Sequence, residues 1–159
     1  MTSQTIETHR GNMLDVRRGI LVHGCNARGR MGKGIALEIK RRFPAAFDVY
    51  KRAHEKSGLP LGNVTVARIN DELMIVNAIT QDHWHHPDPT AVLVDYDAVE
   101  RAFNSVREIA SREHLDVHFP LIGCGLAHGN WDEVAPRIER ALGSDIGKHL
   151  WLLPDKPGS

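Results

Sequence analysis

Short apolar stretches rich in β-branched residues recur along the chain and alternate with longer segments that have helical spacing. Such stretches are typical of β-strands, and they are apolar throughout when both faces of the sheet are covered. The pattern therefore predicts about six strands. They span residues 4–8, 19–25, 64–69, 73–78, 115–119 and 149–153.

Helical periodicity is clear over residues 94–112, where apolar residues recur at a spacing that places them on one face. That face carries Val99, Phe103, Val106 and Ala110. A similar pattern predicts a helix over 131–142, with Asn130 as its N-cap and Gly143 at its end. Two more helices are expected, one over 33–42 and one after Pro44.

Strands that alternate with helices predict an α/β fold, in which helices cover both faces of a mainly parallel or mixed sheet. The length of 159 residues fits one domain, which we assign to residues 1–159. Ligands in such folds bind beyond the carboxyl ends of the strands. We therefore expect the site in the loops that follow strands, including the long irregular segment 80–94.

Composition narrows the classes of partner. Twenty basic and twenty acidic residues give a formal net charge of zero, so no overall charge attracts nucleic acid or membrane. Cys25 and Cys124 are too few and too far apart for a disulfide scaffold or a zinc knuckle. The chain has no apolar run of about 18 residues, and its start lacks a signal-peptide core. A cytoplasmic monomer without membrane contact is expected.

Two glycine-rich loops each follow a predicted strand and lead into a predicted helix. The first contains HGCNARGRMGKG at 23–34, and the second is LIGCGLAHGNW at 121–131. Glycine permits close backbone approach, and the free N–H groups of a helix start attract anions. The first loop lacks the Walker A pattern, and the second departs by one residue from the dinucleotide fingerprint. Simple turns remain the alternative for one loop, whereas two matching loops favour a clamp around a diphosphate.

Five segments together resemble the macrodomain family, and they occur in the same order along nearly the whole chain. They are GNML at 11–14, LVHGCN at 21–26, GRMGKGIALEIKRRFP at 29–44, NAITQ at 77–81 and PLIGCGLAHGNW at 120–131. The similarity is greatest to the branch with yeast-type ADP-ribose-1″-phosphate phosphatases, phage and bacterial homologues, and terminal ADP-ribose glycohydrolases. It implies a three-layer fold with a mixed six-stranded sheet, ADP-ribose across the strand ends, and neither cofactor nor metal.

The resemblance also implies which positions contact ADP-ribose. Asn12 would read the adenine, where the family usually has aspartate, and Thr80 and Gln81 would line the far side of the pocket. The distal ribose and its phosphate would contact Asn26, Gly32, Lys33, Gly34 and Ile35. The diphosphate would be wrapped by Gly123, Cys124, Gly125, Leu126 and Ala127.

The catalytic positions of the family are only partly present. The terminal glycohydrolases use a lysine after the fourth strand and an aspartate after GCGL, but residues 77–94 contain no lysine and Ala127 replaces the aspartate. This departure disfavours a lysine-adduct mechanism. His23 matches a histidine of the phosphatase-like branch, so His23 and Asn26 are the predicted catalytic residues. A hydrogen-bonded structural role is the alternative for His23.

The loop at 82–88 allows more than one interpretation. His83, His85 and His86 with Asp82 and Asp88 suggest a metal, but nothing else in the sequence supplies a spaced partner set, and exposed loops are often rich in histidine. No metal is predicted there. Trp84 either stacks on adenine or covers the core.

The leading hypothesis is a hydrolase that removes the 1″-phosphate from ADP-ribose 1″-phosphate. One alternative is a glycohydrolase that removes ADP-ribose from a modified protein or nucleic acid. The other is a binding module that recognises ADP-ribose without turnover.

Overall fold

The computed structural model describes residues 5–154, which form a six-stranded sheet between helices. Its strands are β1 (Ile6–Arg10), β2 (Gly19–Asn26), β3 (Val64–Arg68), β4 (Leu73–Gln81), β5 (Val117–Phe119) and β6 (Lys148–Leu152). Its helices are α1 (Gly34–Arg42), α2 (Pro44–Ser57), α3 (Tyr96–Glu113) and α4 (Trp131–Leu142), and a short 3₁₀ turn covers Met13–Asp15.

The strands lie in the order β1-β6-β5-β2-β4-β3. Every neighbouring pair is parallel except β3 and β4, which are antiparallel. This arrangement confirms the predicted mixed sheet. Because the other five strands run in one direction, the loops after β2, β4 and β5 all lie at the carboxyl ends of these strands, on the same side of the sheet.

Two apolar layers enclose the sheet. Helices α3 and α4 pack on one face, where Phe103 and Phe119 make an edge-to-face contact with ring centroids 5.7 Å apart. Helices α1 and α2 pack on the other face against residues such as Leu21, Ile75 and Ile79. The helices cover both faces of β2 and β4, which explains why these strands are apolar throughout.

Helix ends follow local sequence signals. The side chain of Asp95 accepts a hydrogen bond from Ala98 N at the start of α3. Asn130 caps α4 through Asp132 N, and Gly143 ends that helix with a positive φ of 74°, as predicted. In contrast, Lys33 at the start of α1 makes no side-chain cap hydrogen bond.

Element boundaries differ from the predictions at a few points. Strand β4 continues to Gln81, three residues beyond the predicted end, because its polar end remains paired with β2. Strand β5 begins at Val117, two residues after the predicted start, and His114, which follows the last residue of α3, is left-handed. Strand β1 begins at Ile6, and residue 4 of the predicted strand lies outside the described residues.

None of the helices formed within residues 5–154 has the length and apolar character needed to cross a bilayer.

Candidate functional site

A cleft of about 530 Å³ opens where the loops after β2, β4 and β5 meet. The two glycine-rich loops form opposite walls, and Gln81 at the end of β4 and Trp84 beyond it also line the cleft. The lining comprises Gly24, Cys25, Asn26, Arg30, Gly32, Lys33, Gly34, Ile35, Ala36, Gln81, Trp84, Pro120, Leu121, Ile122, Gly123, Gly125, Leu126 and Ala127.

The structure brings together most of the residues predicted to bind a ligand. Ten of them line the cleft: Asn26, Gly32, Lys33, Gly34, Ile35, Gln81, Gly123, Gly125, Leu126 and Ala127. The two walls approach closely at one point, where a Cβ atom on Gly34 would lie 3.9 Å from Leu126 Cδ1. Four predicted site residues do not line the cleft: Asn12, His23, Thr80 and Cys124.

Open space next to two glycines gives the cleft its width. A Cβ atom added to Gly32 or Gly125 would meet no atom within 4 Å, and these residues lie in opposite walls. Gly123 differs, because its φ is 76° and a Cβ atom would come within 2.5 Å of Val94. Gly123 therefore maintains the loop, while Gly32 and Gly125 leave room for a ligand.

Asn26 holds the first loop in place. Its Oδ1 accepts a hydrogen bond from Arg28 N at 2.9 Å, and its backbone carbonyl oxygen accepts one from the Tyr50 hydroxyl at 2.6 Å. Its Nδ2 donates to Arg30 O at 2.8 Å. A side-chain amide has two N–H groups, and the second one of Asn26 has no partner within residues 5–154.

The cleft is rich in positive charge. Lys33 and Arg30 line it, the Arg30 guanidinium lies 5.5 Å from the ring centroid of Trp84, and the lining contains no Asp, Glu or His. The N-terminus of α1 also faces the cleft, because residues 32–36 are part of the wall. The first N–H groups of a helix lack partners within the helix, and here no side chain caps them.

His23 lies beneath the cleft instead of in its wall. Its side chain is completely buried, and its Nε2 lies 2.6 Å from Asn77 Oδ1. Asn77 Nδ2 donates to Ala46 O and to Thr65 Oγ1, which orients the amide oxygen toward His23. His23 Nε2–H is therefore the donor. His23 was predicted to face the distal ribose, but its side chain does not line the cleft and instead lies on the side of the sheet that α2 covers.

Burial also determines the protonation state of His23 and of the nearby thiol. Desolvation lowers the pKa of His23 to about 4, although the hydrogen bond with Asn77 acts in the opposite direction. Desolvation raises the pKa of the Cys25 thiol well above its ordinary range. Both groups are therefore neutral near pH 7, and Cys25 provides no thiolate nucleophile.

The other three residues outside the lining have different local surroundings. Asn12 Oδ1 accepts a hydrogen bond from Leu14 N at 2.9 Å and so caps the 3₁₀ turn. Cys124 Sγ lies 3.4 Å from Ile122 O, and burial raises its pKa. The buried Thr80 Oγ1 has no hydrogen-bond partner among the described residues, and it lies directly behind Gly24, where a Cβ atom would approach it to 2.7 Å.

Sequence reasoning missed several apolar residues of the lining, including Ala36 and the segment 120–122. Leu121 and Ile122 begin the second glycine-rich loop, and Pro120 directly precedes it. Their position in or next to that loop was the available signal. Arg30 and Trp84 also belong to the wall of the cleft. Trp84 is therefore not only a residue that covers the core.

The loop at 82–88 does not gather its histidines into a metal site. The side chains of His83 and His86 accept hydrogen bonds from backbone N–H groups of the same loop. Asp82 pairs with Arg28 at 3.0 Å, and Asp88 binds Thr90.

Comparison with known proteins places this geometry in context. The Macro domain family model matches residues 22–138. The DNA ADP-ribosyl glycohydrolase of Thermus aquaticus is 30% identical over 146 residues, covering 90% of this chain and 39% of that protein. The chain thus spans about two fifths of this curated relative. The ADP-ribose 1″-phosphate phosphatase of Aspergillus clavatus is 49% identical over 45 residues, covering 28% of this chain and 22% of that protein.

Two solved structures share the fold. The macrodomain of Mycobacterium tuberculosis DarG superposes with a TM-score of 0.79 at 24% identity, covering 96% of this chain and 99% of that one. Thermosipho africanus DarTG in complex with ADP-ribose gives a TM-score of 0.77 at 25% identity, covering 96% of this chain and 42% of that one.

Proposed function

The chain belongs to the macro domain family, and from that premise we propose that its cleft binds ADP-ribose and that the protein releases ADP-ribose from modified DNA. The observation that carries the binding proposal is the uncapped N-terminus of α1, which faces a cleft lined by Lys33 and Arg30 and by no acidic side chain. A diphosphate is the ligand group that such a site favours.

The remaining parts of ADP-ribose find matching groups in the cleft. Gly32 and Gly125 leave open space in opposite walls, where the backbone can approach the phosphates. The free amide N–H of Asn26 donates to a hydroxyl of the distal ribose. The bound complex of Thermosipho africanus DarTG, which has the same fold, supports this choice of ligand.

The proposed hydrolysis uses the ligand's own phosphate as proton acceptor, because the lining contains no imidazole or carboxylate. A water molecule adds to the anomeric carbon of the distal ribose while the bond from that carbon to the DNA breaks. The water proton passes by way of the phosphate oxygen to the departing group. The helix N-terminus and Lys33 hold the phosphate next to this water.

The choice of DNA as the modified molecule is supported by the relative that matches nearly the whole chain, a DNA ADP-ribosyl glycohydrolase. Removal of the 1″-phosphate from ADP-ribose 1″-phosphate is the second candidate. A shorter but more identical match to a phosphatase over 45 residues favours it, together with the positive charge of the cleft.

One assay distinguishes these reactions. The protein is incubated in parallel with an oligonucleotide carrying one ADP-ribosyl group and with ADP-ribose 1″-phosphate, and free ADP-ribose and phosphate are measured by chromatography. We expect ADP-ribose from the oligonucleotide at a rate that falls at least about tenfold in Gly125→Val, because the added side chain fills the cleft. Phosphate release alone would instead identify a phosphatase, and no turnover of either substrate would identify a binding module.

A further inference from the structure

A cluster of metal-ligating side chains lies on the sheet away from the cleft. Glu7 and His9 project from β1, and His149 projects from the neighbouring strand β6. All three lie on the sheet face against which α1 and α2 pack, but these helices cover β2, β3 and β4 and leave β1 and β6 uncovered. None of the three residues lines the cleft. The cluster therefore needs an explanation separate from ligand binding in the cleft.

The donor atoms of this cluster have the separations of a tetrahedral metal site. His9 Nε2 lies 2.8 Å from His149 Nδ1 and 3.8 Å from Glu7 Oε2, and His149 Nδ1 lies 3.5 Å from Glu7 Oε2. Zinc bonds of about 2.0–2.1 Å in tetrahedral geometry place neighbouring donors roughly 3.3 Å apart. The three observed separations bracket this value.

A carboxylate behind the cluster orients one of the ligands. Asp116 Oδ2 lies 2.8 Å from His149 Nε2. Because a carboxylate accepts hydrogen bonds, His149 carries its proton on Nε2 and directs the lone pair of Nδ1 toward His9 and Glu7. Many zinc sites have this arrangement, in which a carboxylate accepts a hydrogen bond from one nitrogen of a histidine whose other nitrogen binds the metal.

The second histidine is also held in position. The ring of His9 stacks on Trp151 with centroids 4.6 Å apart and planes inclined by 23°. The side chain of His149 is only 15% exposed, whereas the Glu7 side chain is 67% exposed. The cluster thus has two restrained nitrogen ligands and one oxygen ligand that can adjust to a metal.

We propose that Glu7, His9 and His149 bind one Zn²⁺ ion, with Asp116 as the positioning residue and water in the fourth coordination position. Two imidazoles and one carboxylate form a donor set that suits zinc. In the absence of metal, a proton on His9 Nε2 joins it to His149 Nδ1, so zinc binding at His9 Nε2 requires the ring to carry that proton on Nδ1 instead. Since β1 is an edge strand that pairs with β6, the ion would stabilise the pairing of these two strands.

The test is a calorimetric titration of zinc chloride into the full chain after removal of any histidine tag and dialysis against a chelator. We expect one ion per chain with an affinity in the micromolar range or tighter, and a rise in Tm of about 5 °C or more at saturation. His9→Gln and Glu7→Gln weaken binding at least tenfold. Asp116→Asn weakens it by about 10–100-fold, as expected for a residue behind the ligands.

His85→Ala is the matched control, because it removes an exposed histidine from the 82–88 loop and leaves the cluster intact. We expect this variant to bind zinc as the unmodified chain does. Circular dichroism without metal confirms that each variant is folded. No binding by the unmodified chain at 100 µM zinc would overturn the proposal, and so would unchanged affinity in His9→Gln or loss of binding in His85→Ala.

Discussion

His23 and Asn77 form a buried polar pair between the sheet and α2. The pair satisfies the His23 Nε2–H group, while Asn77 also ties β4 to the carbonyl of Ala46 in α2. A buried neutral imidazole with a directed hydrogen bond stabilises the fold only while it stays unprotonated. His23 therefore contributes to stability in a pH-dependent way.

This pair predicts loss of stability in acid. The pKa of His23 is about 4 in the folded protein and 6.5 at its ordinary value, so the unfolded chain binds a proton more readily. Its contribution is complete above about pH 6.5 and is lost as the pH falls toward 4. Between about pH 7 and about pH 4.5 the free energy of unfolding should fall by roughly 2 kcal/mol more in the unmodified protein than in His23→Gln.

Urea titrations followed by circular dichroism at both pH values measure this difference, since the other histidines contribute equally to both proteins. An equal loss in both proteins would contradict the structural role. Turnover measured on the same His23→Gln sample distinguishes a structural role of His23 from a catalytic one. A variant as stable as the unmodified protein but inactive would support the catalytic role predicted for His23 from the sequence.

The sequence could not reveal the orientation of His23. In a strand that is polar on one face, alternation shows which side chains point inward. Both faces of β2 are buried, so Val22 and His23 look alike in pattern although they point to opposite faces. The loop glycines were predictable because they line the cleft with backbone atoms. The position of these atoms depends little on which face of the strand a side chain occupies.

At the scale of elements, α1 differs from α3 and α4 in how it begins. Asp95 and Asn130 cap the two later helices, whereas α1 starts at Gly34 after Lys33, whose side chain forms no cap. An uncapped helix start is less stable by about 1 kcal/mol than one with a serine cap. In α1 this cost leaves the first N–H groups available to an anion.

Replacing Lys33 should therefore separate stability from binding. Lys33 has φ of −144° and ψ of 157°, an extended conformation that suits a capping residue. We expect Lys33→Ser to stabilise the ligand-free protein by about 1 kcal/mol, a rise in Tm of roughly 2–4 °C, and to weaken ADP-ribose binding. Lys33→Ala loses the same charge without adding a cap, so it should weaken binding less and not raise Tm.

Differential scanning calorimetry and ligand titration of both variants measure these effects. If Lys33→Ser and Lys33→Ala have the same Tm and the same affinity, the N–H groups of α1 are not the anion site.

Strand and helix existence was predictable from local pattern, but several ends were not. The prediction ended β4 at residue 78, yet the strand continues through the polar Thr80 to Gln81. Thr80 is completely buried there, and Asp95 N donates a hydrogen bond to its carbonyl oxygen. Such tertiary contacts extend a strand beyond its apolar run, and the local sequence contains no sign of them.

At the scale of the whole molecule, the order of strands creates the site. Strand β2 lies between β5 and β4 in the sheet although both follow it at a distance in sequence. This order brings the loops after all three strands into one cleft, and it brings β1 beside β6 to form the histidine cluster. Local patterns do not specify strand order, so the matching glycine-rich loops after β2 and β5 indicated a shared site, whereas the strand order that joins them did not follow from the sequence.

The central claim is that this cleft binds ADP-ribose, and isothermal titration calorimetry with free ADP-ribose tests it most directly. Gly125→Val fills open space in the cleft, and Ala45→Val enlarges an exposed residue of α2 as a control. We predict one ADP-ribose per chain with micromolar affinity in the unmodified protein and in Ala45→Val, and affinity at least about tenfold weaker in Gly125→Val. No heat of binding from the folded unmodified protein, or equal affinity in Gly125→Val, would contradict the account.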